Sequence, residues 1–303
     1  MIYLADLAKK FNGNFVVENI NLKIKRGEIV GLLGPNGAGK TTTLRMVAGV
    51  LPPTNGKVII NDLDIKENDH EVKKLIGFLP ENNPLFEELT VEEYLDFWAK
   101  IKGIEKEKKQ EALDFVVENC GIGEVFYRPI AELSKGYKQR VGLSQAILTK
   151  PKILILDEPT EGLDPNQRHE IASLIRKLGE ERTVIISSHV LSELAKIASR
   201  MIVIHRGKVV ADESPENLKK IGTKTNTIEL EVKGDKITST LKGIAGVLEV
   251  REEKEGKYEI KVEKQKDIRE QIFKCAVNKK WILLTMVMKE RDIEDVFSQL
   301  TSE

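Results

Sequence analysis

The sequence predicts an α/β protein with a mixed sheet and a helical insertion, followed by a smaller α+β domain of ferredoxin-like order. Three observations predict it. Short apolar runs at 28–33, 152–156 and 183–187 have the continuous hydrophobicity of strands buried in a parallel sheet. A glycine-rich loop, Gly34 to Thr42, stands between the first of these runs and a helix start. Beyond about residue 226 the pattern changes to β-α-β-β-α-β plus a last helix, the order of a split β-α-β domain.

Residues 2–7 and 18–25 alternate apolar and polar side chains and predict antiparallel strands with one wet face, with a turn at Phe11-Asn12-Gly13 between them. Pro52-Pro53-Thr54-Asn55-Gly56 forces a turn into a strand at 57–61, and 74–79 is another short strand ending at Pro80 and the acidic Glu81. Thr90-Val91-Glu92-Glu93 is a capping box that opens a helix through Trp98, and a second amphipathic helix runs from about Glu105 to Cys120 before Gly121. Ser134 is an N-cap for the next helix. Asp164-Pro165 caps another that ends near Gly179. A hairpin is expected at 201–211 around Arg206-Gly207. These elements predict a first domain over 1–220, with a helical subdomain at about 88–150, a polar linker at 219–226, and a second domain over 226–303. In the second, strands fall near 227–233, 247–253, 257–263 and 281–288, and helices near 236–243, 266–279 and 291–300.

Lys+Arg and Asp+Glu are both 48, and this zero balance argues against a protein that coats nucleic acid. Cys120 and Cys275 match no metal or redox spacing and read as reduced structural thiols of a cytosolic protein. The first residues lack the charged and apolar segments of a signal peptide. No apolar run reaches the roughly 18 residues of a membrane span. Any membrane-spanning part is therefore expected on another chain.

Gly34-Pro35-Asn36-Gly37-Ala38-Gly39-Lys40-Thr41-Thr42 fits the pattern Gly, four residues, Gly-Lys, Ser or Thr. Glycines let the backbone turn tightly and bring its N–H groups to phosphate oxygens, and the helix N-terminus adds partial positive charge. Lys40 is expected to reach the β- and γ-phosphates of a nucleoside triphosphate, and the Thr41 hydroxyl to hold Mg²⁺. Asp157 and Glu158 directly follow the buried run at 152–156. In the same sheet as a phosphate loop, the first carboxylate suits Mg²⁺ and the second suits the attacking water. Phe11 could stack on a base or fill a core edge.

The ordered set of Gly34–Thr42, Leu133–Arg140, Ile153–Pro159, Gly162-Leu163-Asp164-Pro165 and Ser187-Ser188-His189 resembles the ATP-binding cassette (ABC) ATPases over about residues 1–220. Leu133-Ser134-Lys135-Gly136-Tyr137 looks like their Leu-Ser-Gly-Gly-Gln signature. The resemblance implies a P-loop NTPase cassette that binds ATP and Mg²⁺ and pairs head to tail with a second cassette, as a homodimer or heterodimer. It implies that Phe11 stacks on adenine and that Ser134 and Gly136 contact the γ-phosphate of the partner's ATP. Asp164 would lie at the interface beside the attacking water, and His189 would sense the γ-phosphate. Glu81 stands where the family has glutamine, in the loop joining Mg²⁺, the water and the membrane partner. The departures at Glu81, Lys135 and Tyr137 are similar to cassettes of bacterial drug, antibiotic and gliding-motility exporters. The function implied is the ATPase subunit of an exporter with a separate transmembrane permease, at the cytoplasmic face of the membrane. The alternative is a soluble cassette ATPase with a regulatory role. A GTP switch is disfavoured, because no Asn/Thr-Lys-x-Asp element is present.

Overall fold

The computed structural model describes residues 1–218, 225–263 and 267–289. The chain divides into two compact units, Met1–Pro215 and Glu216–Glu303. The first begins with β1 (Ile2–Phe11), β2 (Asn14–Ile24), β3 (Ile29–Leu33), α1 (Lys40–Val47), β4 (Asn55–Ile60), β5 (Leu63–Asp64), α2 (Asp69–Lys74) and β6 (Ile76–Leu79). It continues through α3 (Val91–Ile101), α4 (Lys106–Cys120) and α5 (Lys135–Ile147). Then come β7 (Ile153–Leu156), α6 (Pro165–Gly179), β8 (Thr183–Ser188), α7 (Leu191–Ile197), β9 (Arg200–His205), β10 (Lys208–Glu213) and α8 (Pro215–Leu218).

Two sheets share one core. β2-β1-β4-β5 is antiparallel, and β10-β9-β3-β8-β7-β6 is parallel except for its β10–β9 hairpin. Ile2, Leu4 and Ile60 of the first sheet pack with Val30, Ile155, Ile185 and Ile202 of the second, around Leu44 and Met46 of α1. β7 is buried at every position, as its uninterrupted apolar run demands. The parallel order places the C-terminal ends of β3, β7 and β8 side by side, where loops open onto a shared crevice.

The helical insertion forms as expected. Thr90 and Glu93 make the reciprocal capping box of α3, and Gly121 ends α4 in the left-handed conformation at φ +62°. Short helices escaped the sequence pattern, α2, α7 and α8 among them. α2 buries only Val72, so no apolar stripe announces it. α7 spans barely two turns and lacks a side-chain cap. β1 and β2 also extend further than the alternation suggested, because register shifts near Asp6 in β1 break the period of two and leave Leu7 and Ala8 both buried.

The second unit contains β11 (Thr225–Lys233), α9 (Ile237–Lys242), β12 (Val247–Lys254), β13 (Lys257–Glu263), α10 (Arg269–Asn278) and β14 (Ile282–Lys289). The antiparallel order β12-β13-β11-β14 is that of a ferredoxin-like domain. Ile228, Leu230, Ile260 and Val262 form its core with Leu241, Ile272 and Trp281. Thr225 and Asn226, read as linker, instead begin β11. The helix read at 291–300 and most of the 219–226 linker lie outside the described residues.

Candidate nucleotide site

Residues 35–42 line a cavity of about 300 Å³ together with Val16, Glu81, Glu158 and Glu161. The loop turns through positive φ at Gly37 (+78°) and Gly39 (+105°), and Gly39 caps α1. At Gly39 a side chain is barred twice, since a Cβ would also sit 2.8 Å from the Val16 carbonyl oxygen. Lys40 Nζ donates to the Gly34 carbonyl at 2.7 Å and the Pro35 carbonyl at 3.3 Å, so its ammonium is folded back across the loop.

The carboxylates arrive from the end of β7. Asp157 is fully buried, and its Oδ1 accepts from the hydroxyls of Ser187 at 2.7 Å and Thr41 at 3.1 Å. Its Oδ2 is buried without a hydrogen-bond partner. Burial holds the Asp157 carboxyl above the usual range, and the charges of Glu81 and Glu158 push the same way against the two hydroxyl bonds. Thr41 also faces Glu81, Oγ1 to Oε2, at 3.4 Å. Thr41, Asp157 and Glu81 thus offer hard oxygen donors, with one buried oxygen atom unused, which suits Mg²⁺.

Glu158 is 6% exposed and has a left-handed backbone at φ +47°. Its N–H donates to Ser187 Oγ at 2.8 Å, and Oε1 forms an ion pair with Lys40 Nζ at 3.2 Å. Oε2 lies 3.0 Å from Nδ1 of His189. Asp157, Glu158, Lys40, Thr41 and His189 therefore form one connected network.

The remaining expected site residues stand apart from this cavity. Phe11 is 45% exposed and not part of the lining, with Lys9 Nζ 5.4 Å above its ring. Ser134 caps α5 by accepting from the Tyr137 N–H. Asp164 caps α6 by accepting from Asn166 and Gln167 N–H groups, both at 3.0 Å. Gly136 packs on Gln167, whose Cδ would lie 2.9 Å from an added Cβ. Ser134, Gly136 and Asp164 thus belong to neighbouring helix starts outside the cavity lining. The sequence reading gave no role to Ser187, which joins Asp157 to Glu158, or to Glu161, which lines the cavity. A polar residue ending an apolar strand was the available signal for Ser187.

A crevice at strand C-termini, a glycine loop opening a helix and a buried acidic pair define a P-loop nucleotide hydrolase. The profile described as ABC transporter matches residues 17–161. The chain is 40% identical over 222 residues to the bacitracin transport ATP-binding protein BcrA of Bacillus licheniformis, covering 73% of this chain and 72% of that protein. It is 31% identical over 314 residues to the linearmycin resistance ATP-binding protein LnrL of Bacillus subtilis, covering 99% and 98% respectively. Among solved structures, the ATP-binding cassette MJ0796, a dimer in a post-hydrolysis state with ADP and Pi, aligns with a TM-score of 0.64 at 27% identity, over 71% of this chain and 99% of that one. The chain belongs to the ABC transporter ATP-binding proteins, and it is an ATPase.

Proposed function

We propose that this chain is the ATP-hydrolysing subunit of an exporter. It would act at the cytoplasmic face of the membrane through a separate permease, as one of two cassettes that close around ATP. The observation that carries the permease is an aromatic face on the helical insertion. Phe86 stacks edge to face with Tyr94 and Phe97 at 5.9 and 5.4 Å, while Phe86, Phe97 and Ile101 are 44, 40 and 62% exposed. Contiguous apolar surface of this kind marks a partner site. Beside it runs a groove of about 460 Å³ whose lining includes Val50, Phe78, Pro84 and Trp98. The groove also holds Arg45 and Lys102, with no carboxylate among the described residues of its lining, which suits a partner helix bearing an acidic residue. It reaches Pro80 and Asn83, on either side of Glu81. No helix among the described residues is long and apolar enough to cross a membrane. The bacitracin and linearmycin names of the relatives support export.

In the reaction, water attacks the γ-phosphorus, the bond to the ADP oxygen breaks, and Glu158 takes the water's proton. Mg²⁺, held by Thr41, Asp157 and Glu81, would neutralise phosphate charge. Lys40 pairs with Glu158 at 3.2 Å. Phosphates would draw Lys40 away and free the carboxylate. Ser134, exposed at the start of α5 and outside the cavity lining, would meet the ATP of a second cassette, with Gly136 buried in the same first turn.

The test is Glu158→Gln in the full chain. With ATP it should elute as a dimer with little hydrolysis, and hydrolysis at the wild-type rate would exclude Glu158 as the base. Phe97→Glu should keep ATP binding and lose co-purification with a multi-spanning membrane protein. Retained co-purification would remove the aromatic face from the permease interface.

A further inference from the structure

Glu158 keeps a left-handed backbone at φ +47°. Such a conformation strains a residue other than glycine and persists only where its surroundings hold it. The segment that carries it, Asp157 to Asp164, is held from outside along its length. At its start, Ser187 Oγ donates to Asp157 and accepts from the Glu158 N–H. Near its end, Arg168 Nε donates to the Leu163 carbonyl at 2.8 Å. Between them, the Thr160 hydroxyl donates to Glu193 Oε2 at 2.8 Å. Glu193 lies in the first turn of α7, and its Oε1 accepts from Arg168 Nη1 at 2.9 Å. One carboxylate therefore takes up both the middle and the end of the segment.

Thr160 is 5% exposed and the Glu193 side chain 20%. A hydroxyl donating to a carboxylate makes one of the stronger hydrogen bonds, and a buried hydroxyl that loses its partner is left unsatisfied. Inside the segment, the Glu161 N–H donates to the Glu158 carbonyl at 3.1 Å and the Leu163 N–H to the Thr160 carbonyl at 3.3 Å. Those bonds bend the segment but do not fix where it sits against the cavity. The Glu158 carboxylate must lie between Lys40 Nζ, at 3.2 Å, and His189 Nδ1, at 3.0 Å. His189 and Glu193 belong to one short stretch, so the chain that meets the carboxylate of Glu158 also fixes the turn behind it. We infer that Glu193, acting through Thr160, is a positioning residue for hydrolysis that sets the place of the Glu158 carboxylate. Neither residue lines the nucleotide cavity. This inference rests on the reading of Glu158 as the base. A brace that served folding alone would shift the melting temperature and leave turnover of the folded protein unchanged.

The experiment measures kcat and KM for ATP in the full chain. Thr160→Val keeps the shape and loses the hydroxyl, Thr160→Ser keeps the hydroxyl, and Glu193→Ala removes the acceptor. Thr160→Val and Glu193→Ala should each lower kcat at least about tenfold with KM within about twofold of the wild type. Thr160→Ser should hold kcat within about threefold of the wild type, and the double variant Thr160→Val with Glu193→Ala should fall no further than its worse parent. Wild-type kcat in Thr160→Val would overturn the inference. A loss in Thr160→Ser as large as in Thr160→Val would also overturn it, by placing the damage in packing. Losses that multiply in the double variant would separate the two residues and overturn it as well. Glu158→Gln is measured alongside: hydrolysis at the wild-type rate there fails the base reading first, and the inference falls with it.

Discussion

At Asp157 a carboxylate is fully buried, with one oxygen satisfied by Ser187 and Thr41 and the other left bare. A buried carboxylate with one unsatisfied oxygen costs folding free energy that a paired cation would offset. Because burial and the neighbouring Glu81 and Glu158 raise its pKa, folding binds this proton more tightly than the unfolded chain does. Its contribution to stability therefore falls as pH rises from the usual carboxylate range through the raised value, and it is gone above that value. Asp157→Asn should raise the melting temperature in chelator without nucleotide while weakening MgATP binding, and a lower melting temperature would contradict this balance. Lys102 has the opposite chemistry. Burial lowers its amine from 10.5 to about 8. Between those values the unfolded chain holds more protons, so folding gains stability as pH rises across the window. Lys102→Met should flatten that gain in denaturant titrations at pH 8 and 10. Lys40→Ala should abolish ATP binding, because Lys40 is the one ammonium among the described residues lining the cavity; unchanged affinity in a titration would remove this loop from the site.

Among the elements, the capping box of α3 is the clearest case of local sequence specifying local structure. Thr90 accepts from the Glu93 N–H, and the Glu93 carboxylate accepts from the Thr90 N–H at 2.9 Å. Thr90→Ala should cost about 1 kcal/mol in equilibrium unfolding and leave nucleotide affinity unchanged. The same kind of signal located α4, α5 and α6, each through a cap or a terminating glycine. α2 and α7 were not legible because their short lengths owe more to tertiary contacts than to propensity. Leu191, Leu194 and Ile197 are buried by the surrounding structure, but three apolar residues over seven positions do not distinguish a helix from a loop.

For the whole molecule, the two units have separate cores, one shared by the two large sheets and one under the ferredoxin-like sheet. The site lies entirely in the first. Calorimetry of the full chain should therefore resolve two transitions, and ATP at about 100 times its dissociation constant should stabilise one of them by roughly 2.7 kcal/mol. A uniform shift of both transitions would show that the units unfold as one.

The sequence by itself picked out the loop, the lysine and the paired carboxylates that the fold brings together. A glycine loop, a lysine and paired carboxylates at the ends of apolar runs can be read locally, because backbone freedom and burial are written in residue type. It also determined the split into a cassette and a ferredoxin-like domain, through the change of periodicity near residue 226. Only the tertiary structure decided how these parts touch. Lys40 pairs with Glu158 across more than a hundred residues, Ser187 ties the Asp157 carboxylate to the Glu158 N–H from the neighbouring strand, and Asn83 finds its place against a helical glycine. Those contacts depend on strand order and on the space left by a missing side chain, and neither has a period or a spacing that a linear pattern can carry.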